Sequence, residues 1–98
     1  MESRIIGIDF GRKRIGLAQS DPLGIFASPL ETVQYAKIID YLQSLASAMV
    51  IKCFVIGYPV NMNGRPSEAQ ADVDAFIRRL SRVFPQIPII KEDERFTS

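Results

Sequence analysis

The sequence predicts an α/β domain in which a mixed β-sheet is flanked by helices. Several apolar runs of only a few residues fit buried strands, and two longer segments repeat apolar residues every three or four positions, as amphipathic helices do. The 98 residues are 47% hydrophobic and 23% charged, which is sufficient for one hydrophobic core. The predicted order of elements is β-β-β-α-β-α-β.

Three strands are predicted before the first helix. Residues 5–8 form a short β-branched run that should be a strand buried on both faces, followed by Asp9. Residues 14–20 and 25–33 are the second and third strands, separated by a turn. Because Pro29 has no backbone N–H to donate, the third strand is expected at a sheet edge or at a bulge. Three such strands in succession can form an antiparallel meander.

Two helices alternate with the two remaining strands. The first helix has a stripe of apolar residues at helical spacing, comprising Ile38, Ile39, Leu42, Leu45, Ala46 and Met49. The second begins after a candidate capping box of Ser67 and Gln70, and its stripe comprises Ala69, Val73, Phe76, Ile77, Leu80 and Phe84. Residues 53–57 and 87–90 are the fourth and fifth strands. Strands that follow a helix can join the sheet in parallel, and a meander followed by βαβ units is the order of the ribonuclease H-like fold.

Composition excludes several classes of chemistry. The chain has no histidine, so Ser-His-Asp catalysis, Cys-His catalysis and His-ligated zinc cannot be built from its own residues. Cys53 is the single cysteine and lies in an apolar run, which favours a buried hydrophobic role and a reducing, cytoplasmic setting. No signal peptide or membrane-length apolar segment is present, so no membrane association is expected. The net charge of +1 limits any nucleic-acid site to a local patch.

Carboxylates therefore carry the acid–base and metal chemistry. Asp9 follows the first apolar strand, and Asp93 and Glu94 follow the last. If those strands are close in the sheet, the side chains converge into an oxygen-only site that suits Mg²⁺ or Mn²⁺. Residues 93 and 94 alternate in direction along a strand, so only one can share a face with Asp9. The alternatives are that Asp9 caps a turn and that residues 92–95 are a solvated charge run.

Basic residues and a glycine-containing loop lie close to these acids in the sequence. Arg12, Lys13 and Arg14 follow Asp9 and could bind phosphates, although a basic hairpin turn explains them equally well. The arginines of the second helix are better explained as a solvated polar face; they are Arg78, Arg79 and Arg82. Residues 57–64 connect a strand to a helix, where loops can cradle phosphate, but they match neither the P-loop nor the Rossmann motif.

Three segments together resemble the YqgF/RuvX-type family, the Holliday junction resolvase-like proteins of bacteria. Residues 6–18 read IGIDFGRKRIGLA, similar to the family pattern I-G-x-D-x-G-x-x-R-I-G-x-A. Residues 57–64 read GYPVNMNG, similar to G-x-P-x-N-x-[DN]-G. Residues 93–98 read DERFTS, similar to D-E-R-[LF]-[ST]-[ST]. The three motifs occur in the family's order and extend over almost the whole chain.

The resemblance implies a ribonuclease H-like fold and a metal-dependent endonuclease acting on structured nucleic acid. The expected roles are processing of the 5′ end of precursor 16S rRNA, in ribosome biogenesis, or resolution of Holliday junctions. By analogy, Asp9 and Glu94 would be the metal ligands, with Asp93 as the next candidate. The remaining matching residues would contact substrate or support the fold; they are Arg12, Lys13, Arg14, Asn61, Gly64 and Arg95.

Family members usually continue through a last helix that supplies a third acidic residue, for which these 98 residues contain no candidate. We therefore expect residues 1–98 to be a single ribonuclease H-like domain without the family's C-terminal segment, binding Mg²⁺ weakly and having little activity alone. A homodimer is a further expectation.

Two other functions are considered. One is a non-catalytic RNA-binding domain of the same fold. The other is a nucleotide-binding module of the actin and sugar-kinase type, which shares the I-G-I-D-x-G opening but usually continues with Thr or Ser, where this chain has Arg12, Lys13 and Arg14.

Overall fold

The computed structural model describes residues 3–20, 27–59 and 68–93. In chain order the elements are β1 (Ser3–Asp9), β2 (Arg14–Ser20), β3 (Ala27–Gln34), a 3₁₀ turn (Tyr35–Lys37), α1 (Ile38–Ala48), β4 (Val50–Tyr58), α2 (Glu68–Val83) and β5 (Ile89–Asp93). The predicted order is confirmed. Neither described helix is long and apolar enough to cross a membrane.

The five strands form one mixed sheet in the order β3-β2-β1-β4-β5. The three consecutive strands β1, β2 and β3 pair antiparallel, whereas β4 joins β1 in parallel and β5 joins β4 in parallel. A meander followed by two helix-connected strands is the predicted ribonuclease H-like arrangement. It puts β1 and β4, which are distant in sequence, side by side at the centre of the sheet.

The prediction made from Pro29 is confirmed in both of its forms. Strand β3 lies at one edge of the sheet. The pairing with β2 also shifts register there, because Leu17 pairs with Glu31 while Ala18 pairs with Pro29. A residue without a backbone donor is therefore accommodated where fewer ladder hydrogen bonds are required.

Both helices pack on the same face of the sheet. The two crossovers move in the same direction across the sheet, and right-handed connections then put their helices on one side. The buried core combines strand and helix residues; the fully buried large side chains are Ile6, Ile15, Ile38, Leu42, Phe54, Ile56, Phe76 and Leu80.

The expectation that β1 is buried on both faces is therefore wrong for the described residues, because both described helices cover the same face. The face away from the helices is called the open face below. By strand alternation and register it comprises Ile5, Gly7, Asp9, Gly16, Ala18, Ser20, Cys53, Val55, Gly57, Ile90 and Glu92.

Strand β4 begins three residues earlier than predicted. The apolar run of this strand is interrupted at Lys52, which hides its first part from a search for continuous apolar residues. In the structure Arg4 pairs with Ile51 and Ile5 pairs with Cys53, so Lys52 is an extra residue at a bulge. The bulge reverses the alternation of side chains within one strand.

Candidate functional site

The candidate site lies where the chain reverses its direction of travel across the sheet. Asp9 ends β1 and Tyr58 ends the neighbouring parallel strand β4. From β1 the chain moves toward β2 and β3, whereas from β4 it moves toward β5. In open α/β sheets, crevices form outside the carboxyl ends of strands at such a switch point, and ligands bind there. Asp9 is the first predicted site residue at this position.

Asp9 is an exposed residue on the open face. Its neighbour in β2 is Gly16, whose missing side chain leaves room beside it; a Cβ added there would lie 3.7 Å from the Asp9 Cβ. The Asp9 carboxylate accepts no hydrogen bond from another described side chain or backbone group. It is therefore free to bind a ligand and, being exposed, needs no partner to offset burial.

A second carboxylate, Glu92, lies across Gly57 from Asp9. Ile8 pairs with Ile56, and Gly57 pairs with Glu92, so Asp9, Gly57 and Glu92 form a row across β1, β4 and β5. Both acids line one open groove of about 520 Å³. Two strand spacings put their Cα atoms about 10 Å apart. Because Gly57 has no side chain, nothing from the central strand separates the two carboxylates.

Sequence reasoning missed Glu92, which it treated only as part of a charge run. The available signal was its alternation with Glu94, since residues two apart share a face of a strand. Asp93 ends β5 and pairs with Tyr58. The other predicted residues near this edge lie outside the described ranges; they are Asn61, Gly64, Glu94 and Arg95.

The turn after Asp9 is tied to α2 by Arg12. The Arg12 Nε–H donates to Asp72 Oδ2 at 2.6 Å, and the Arg12 Nη2–H donates to Glu68 Oε2 at 3.1 Å. These hydrogen bonds raise the pKa of Arg12 above its ordinary value, and the bond to Glu68 has a larger effect than the bond to Asp72. A crevice of about 210 Å³ lies beside this contact, between Arg12, Pro59 and α2. Arg12 thus makes protein contacts where the sequence predicted a phosphate contact.

Lys13 and Arg14 differ from Arg12 in having unpaired charges. Both are exposed, and neither makes an ion pair within residues 3–20, 27–59 and 68–93. Arg14 lies on the same side of β2 as Gly16, the partner of Asp9. Arg14 therefore shares the open face with Asp9, and Lys13 lies in the turn between β1 and β2. Phosphate binding by these two residues stays a prediction.

A polar cluster lies at the end of β4 on the face that the helices cover. The Tyr58 hydroxyl donates to Asp74 Oδ2 at 3.0 Å, and Lys91 Nζ lies 3.5 Å from Asp74 Oδ1. Lys91 Nζ also lies 4.8 Å from the centroid of the Tyr58 ring. Desolvation, followed by the hydrogen bond to Asp74, raises the pKa of Tyr58. Gln70 Nε2 donates to the Pro59 carbonyl at 2.8 Å, which joins α2 to the chain leaving β4.

The donors at the groove fit a hard divalent cation. Asp9 and Glu92 offer only carboxylate oxygens, which are the ligands that Mg²⁺ and Mn²⁺ prefer. No group of three acidic or cysteine side chains that could hold a metal ion occurs among the described residues, the groove included. In this groove Asp9 and Glu92 face one open space; a second groove of about 500 Å³ is lined by Glu31 and Asp40, but it also contains Lys37.

Comparisons with known proteins find a family and several similar proteins. The family described as "RuvX: Holliday junction resolvase" matches residues 3–98. A Flavobacterium johnsoniae protein named "Putative pre-16S rRNA nuclease" is 40% identical over 95 residues, covering 97% of this chain and 69% of its own length. Proteins of the same name from Parabacteroides distasonis and Porphyromonas gingivalis are 43% and 44% identical, covering 97% of this chain and 68% and 69% of theirs.

Proposed function

Because this chain belongs to the RuvX family of Holliday junction resolvases, we propose that it is a nuclease that hydrolyses phosphodiester bonds in structured nucleic acid. Its relatives are named for precursor 16S rRNA, so processing of that RNA at its 5′ end is the proposed role. Resolution of branched DNA, which the family description names, is the second substrate to test. Association into a homodimer stays a prediction.

The observation that carries the proposal is the position of Asp9. It combines exposure, a location at the carboxyl end of a central strand, and a second carboxylate across the same groove. Lys13 and Arg14 follow it along the chain, and neither makes an ion pair with another described residue. A phosphodiester needs this combination, because the cations attract the phosphates while the acids organise the cleavage chemistry.

Mg²⁺ or Mn²⁺ is the cofactor we propose for this site. Asp9 and Glu94 would be ligands, as the family resemblance implies, and Glu92 would contribute a carboxylate from the opposite side of the groove. When bound, such an ion activates water and stabilises the oxygen that leaves the phosphate. The protein's part is to orient the carboxylates on rigid strands and to hold the neighbouring phosphates with Lys13 and Arg14.

Substitution of Asp9 tests the proposal directly. In the presence of Mg²⁺, we expect Asp9→Asn to reduce cleavage of a precursor 16S rRNA 5′ fragment by about two orders of magnitude or more. Asp40→Asn is the matched control, because Asp40 is also an exposed aspartate but lies in the first turn of α1. Undiminished cleavage by Asp9→Asn, or equal loss in both variants, would contradict the proposed site.

A non-catalytic RNA-binding domain is the second candidate. It is favoured by the two-acid groove, since no group of three metal-ligating side chains occurs in the described part of the chain. The distinguishing experiment adds EDTA to an RNA-binding assay and follows cleavage in parallel. Binding that is unaffected by EDTA, with no cleavage at any Mg²⁺ concentration, would select this candidate. Family membership sets aside the nucleotide-binding alternative.

A further inference from the structure

A group of exposed cations surrounds Tyr35, beyond the turn that follows Asp9. We propose that Lys13, Lys37 and Arg79, arranged around Tyr35, form a second contact surface for the phosphodiester backbone of the substrate. This surface is called the Tyr35 patch below. The inference rests on the proposed function, since it assumes that the substrate is a nucleic acid. It adds a path by which the substrate extends from the acidic groove over α2.

Two contacts of Tyr35 bring separate parts of the chain together at the patch. The Tyr35 N–H donates to the Lys13 carbonyl at 2.9 Å, which fixes the 3₁₀ turn beside the turn after β1. Lys37 ends that 3₁₀ turn and is exposed. The Arg79 Cζ lies 5.9 Å from the centroid of the Tyr35 ring. A cation over a tyrosine ring is held in place without losing its hydrogen-bond donors, so exposed Arg79 can still bind an anion.

The charges of the patch are not neutralised by the described residues. Lys13, Lys37 and Arg79 make no ion pair within residues 3–20, 27–59 and 68–93. The acids nearest to Arg79 along its side of α2 are Asp72 and Glu68, and both are paired with Arg12. Arg12 therefore offsets the negative charge that would otherwise border the patch. Two further acids, Glu31 and Asp40, line the same groove as Lys37 without forming an ion pair with it in the described structure.

Ring contacts place the patch beside the turn that follows Asp9. Phe10 follows Asp9, and its ring centroid lies 5.9 Å from that of Tyr35. The Arg79 Cζ is a further 5.9 Å from the Tyr35 ring. Phe76 anchors these residues, with its ring 5.1 Å from that of Phe10. Because Phe10 and Tyr35 pack against the core, the patch lies on the helix-covered side of the sheet, and the substrate would reach it from the acidic groove around the β1–β2 turn.

The sequence favoured a solvated role for all three arginines of α2, and the structure separates them. Arg79 lies about 100° around the helix from Arg78 and on the flank that faces Tyr35. Arg78 and Arg82 are exposed and have no described ring or carboxylate partner. Arg78 is therefore a matched control that has the same charge on the same helix.

The test measures RNA affinity as a function of salt, with EDTA present to prevent cleavage. A precursor 16S rRNA 5′ fragment is titrated with each variant at several KCl concentrations by fluorescence anisotropy. We expect Arg79→Ala to weaken binding by roughly threefold to tenfold at 0.1 M KCl and to lower the slope of log K against log salt by about one. Arg78→Ala should change neither quantity, and Arg79→Lys should retain most of the slope.

The outcomes separate this inference from the proposed function. Equal affinities and slopes for wild type, Arg79→Ala and Arg78→Ala, with RNA still cleaved, would overturn the Tyr35 patch and leave the nuclease standing. A wild-type chain without salt-dependent RNA binding would instead contradict the proposed function. Thermal unfolding of each variant checks that the fold is intact. If Arg79→Ala unfolds, Arg79→Lys and Lys37→Ala are compared instead. The patch is supported if the slope of log K against log salt is preserved in Arg79→Lys and reduced in Lys37→Ala. It is overturned if the slope is unchanged in both variants.

Discussion

Gly11 shows how a single residue shapes the turn that positions Asp9. A Cβ at this position would collide with the carbonyl oxygen of Arg14, which is backbone and cannot rotate away. The chain can therefore turn back tightly between β1 and β2 only with glycine here. This geometric requirement explains why the sequence has Gly between Phe10 and the basic residues of the turn.

We accordingly expect Gly11→Ala to lower the free energy of unfolding by about 1–3 kcal/mol, the range for overpacked sites. Urea denaturation followed by circular dichroism measures this change. Gly7→Ala is the control, because an added Cβ there would lie 3.9 Å from its nearest neighbour, the Ala18 carbonyl oxygen, which is an ordinary contact distance. A Gly11→Ala variant as stable as Gly7→Ala would show that the turn adapts.

Tyr58 makes stability depend on pH in the alkaline range. Its folded pKa is raised by desolvation and by the hydrogen bond to Asp74, so the neutral phenol is favoured in the folded state. The resulting stabilisation is complete below the unfolded pKa of about 10 and is lost as pH rises through the higher folded pKa. We expect Tyr58→Phe to cost about 1 kcal/mol at pH 8 and progressively less above pH 10.

The measurement is urea unfolding of wild type and Tyr58→Phe at closely spaced pH values. Tyr41→Phe serves as the control, since no described hydrogen bond involves the Tyr41 hydroxyl. A difference between wild type and Tyr58→Phe that stayed constant across pH 8–11 would contradict the assigned hydrogen bond.

At the scale of elements, the connection between the β1–β2 turn and α2 depends on Arg12. Exposed ion pairs contribute little individually, but Arg12 binds two carboxylates spaced one helical turn apart, Glu68 and Asp72. We expect Arg12→Ala to lower the melting temperature at low salt. Because exposed charges are screened, the loss should shrink at 0.5 M NaCl. The same salt series on Arg82→Ala is the control. If the melting temperature of Arg12→Ala fell equally at low and high salt, the loss would come from packing of the aliphatic part of Arg12 and not from its ion pairs.

An element can be predicted from the sequence when its own residues determine it, and it is missed when contacts with distant parts of the chain determine it. Strand β2 was predicted with the observed bounds, because its apolar pattern and flanking charges are contained in the segment. The start of β4 was missed, because it depends on a bulge opposite Arg4 and Ile5. The 3₁₀ turn at Tyr35–Lys37 was also missed, since it is stabilised by distant contacts to Lys13, Phe10 and Arg79.

The same distinction holds for the candidate site. Asp9 could be found from its own strand, because an acid after a short apolar run has few structural uses. Glu92 could be grouped with Glu94 on one face of a strand by the alternation of side chains. Its place in the same row as Asp9 could not be predicted, because it depends on the register of β5 against β4, which a single charge run does not reveal.

At the scale of the whole molecule, the two faces of the sheet differ. Both helices cover the face that contains Ile6 and Ile8, while the open face leaves apolar side chains in solvent; Ile90, for example, is 49% exposed. The acidic groove lies on this open face. One face of the sheet thus packs against the helices and forms the core, and the other face contains the proposed site. The central strands β1 and β4 contribute residues to both faces.

Cys53 allows the rigidity of the open face to be measured. The pairing of Cys53 with Ile5 places it on the open face, yet the residue is only 7% exposed. Because both described helices cover the other face, the neighbouring strands shield it. Because it is the single cysteine, thiol labelling reports on this one position. We expect the native protein to react with a thiol reagent at least about a hundredfold more slowly than the urea-unfolded chain, which corresponds to an opening free energy of about 2.7 kcal/mol.

The control is free cysteine in both buffers, which corrects for the effect of urea on the reagent. Labelling of native Cys53 at nearly the unfolded rate would mean that β4 opens readily, and a strand that opens readily could not hold Gly57 between two carboxylates at a fixed distance.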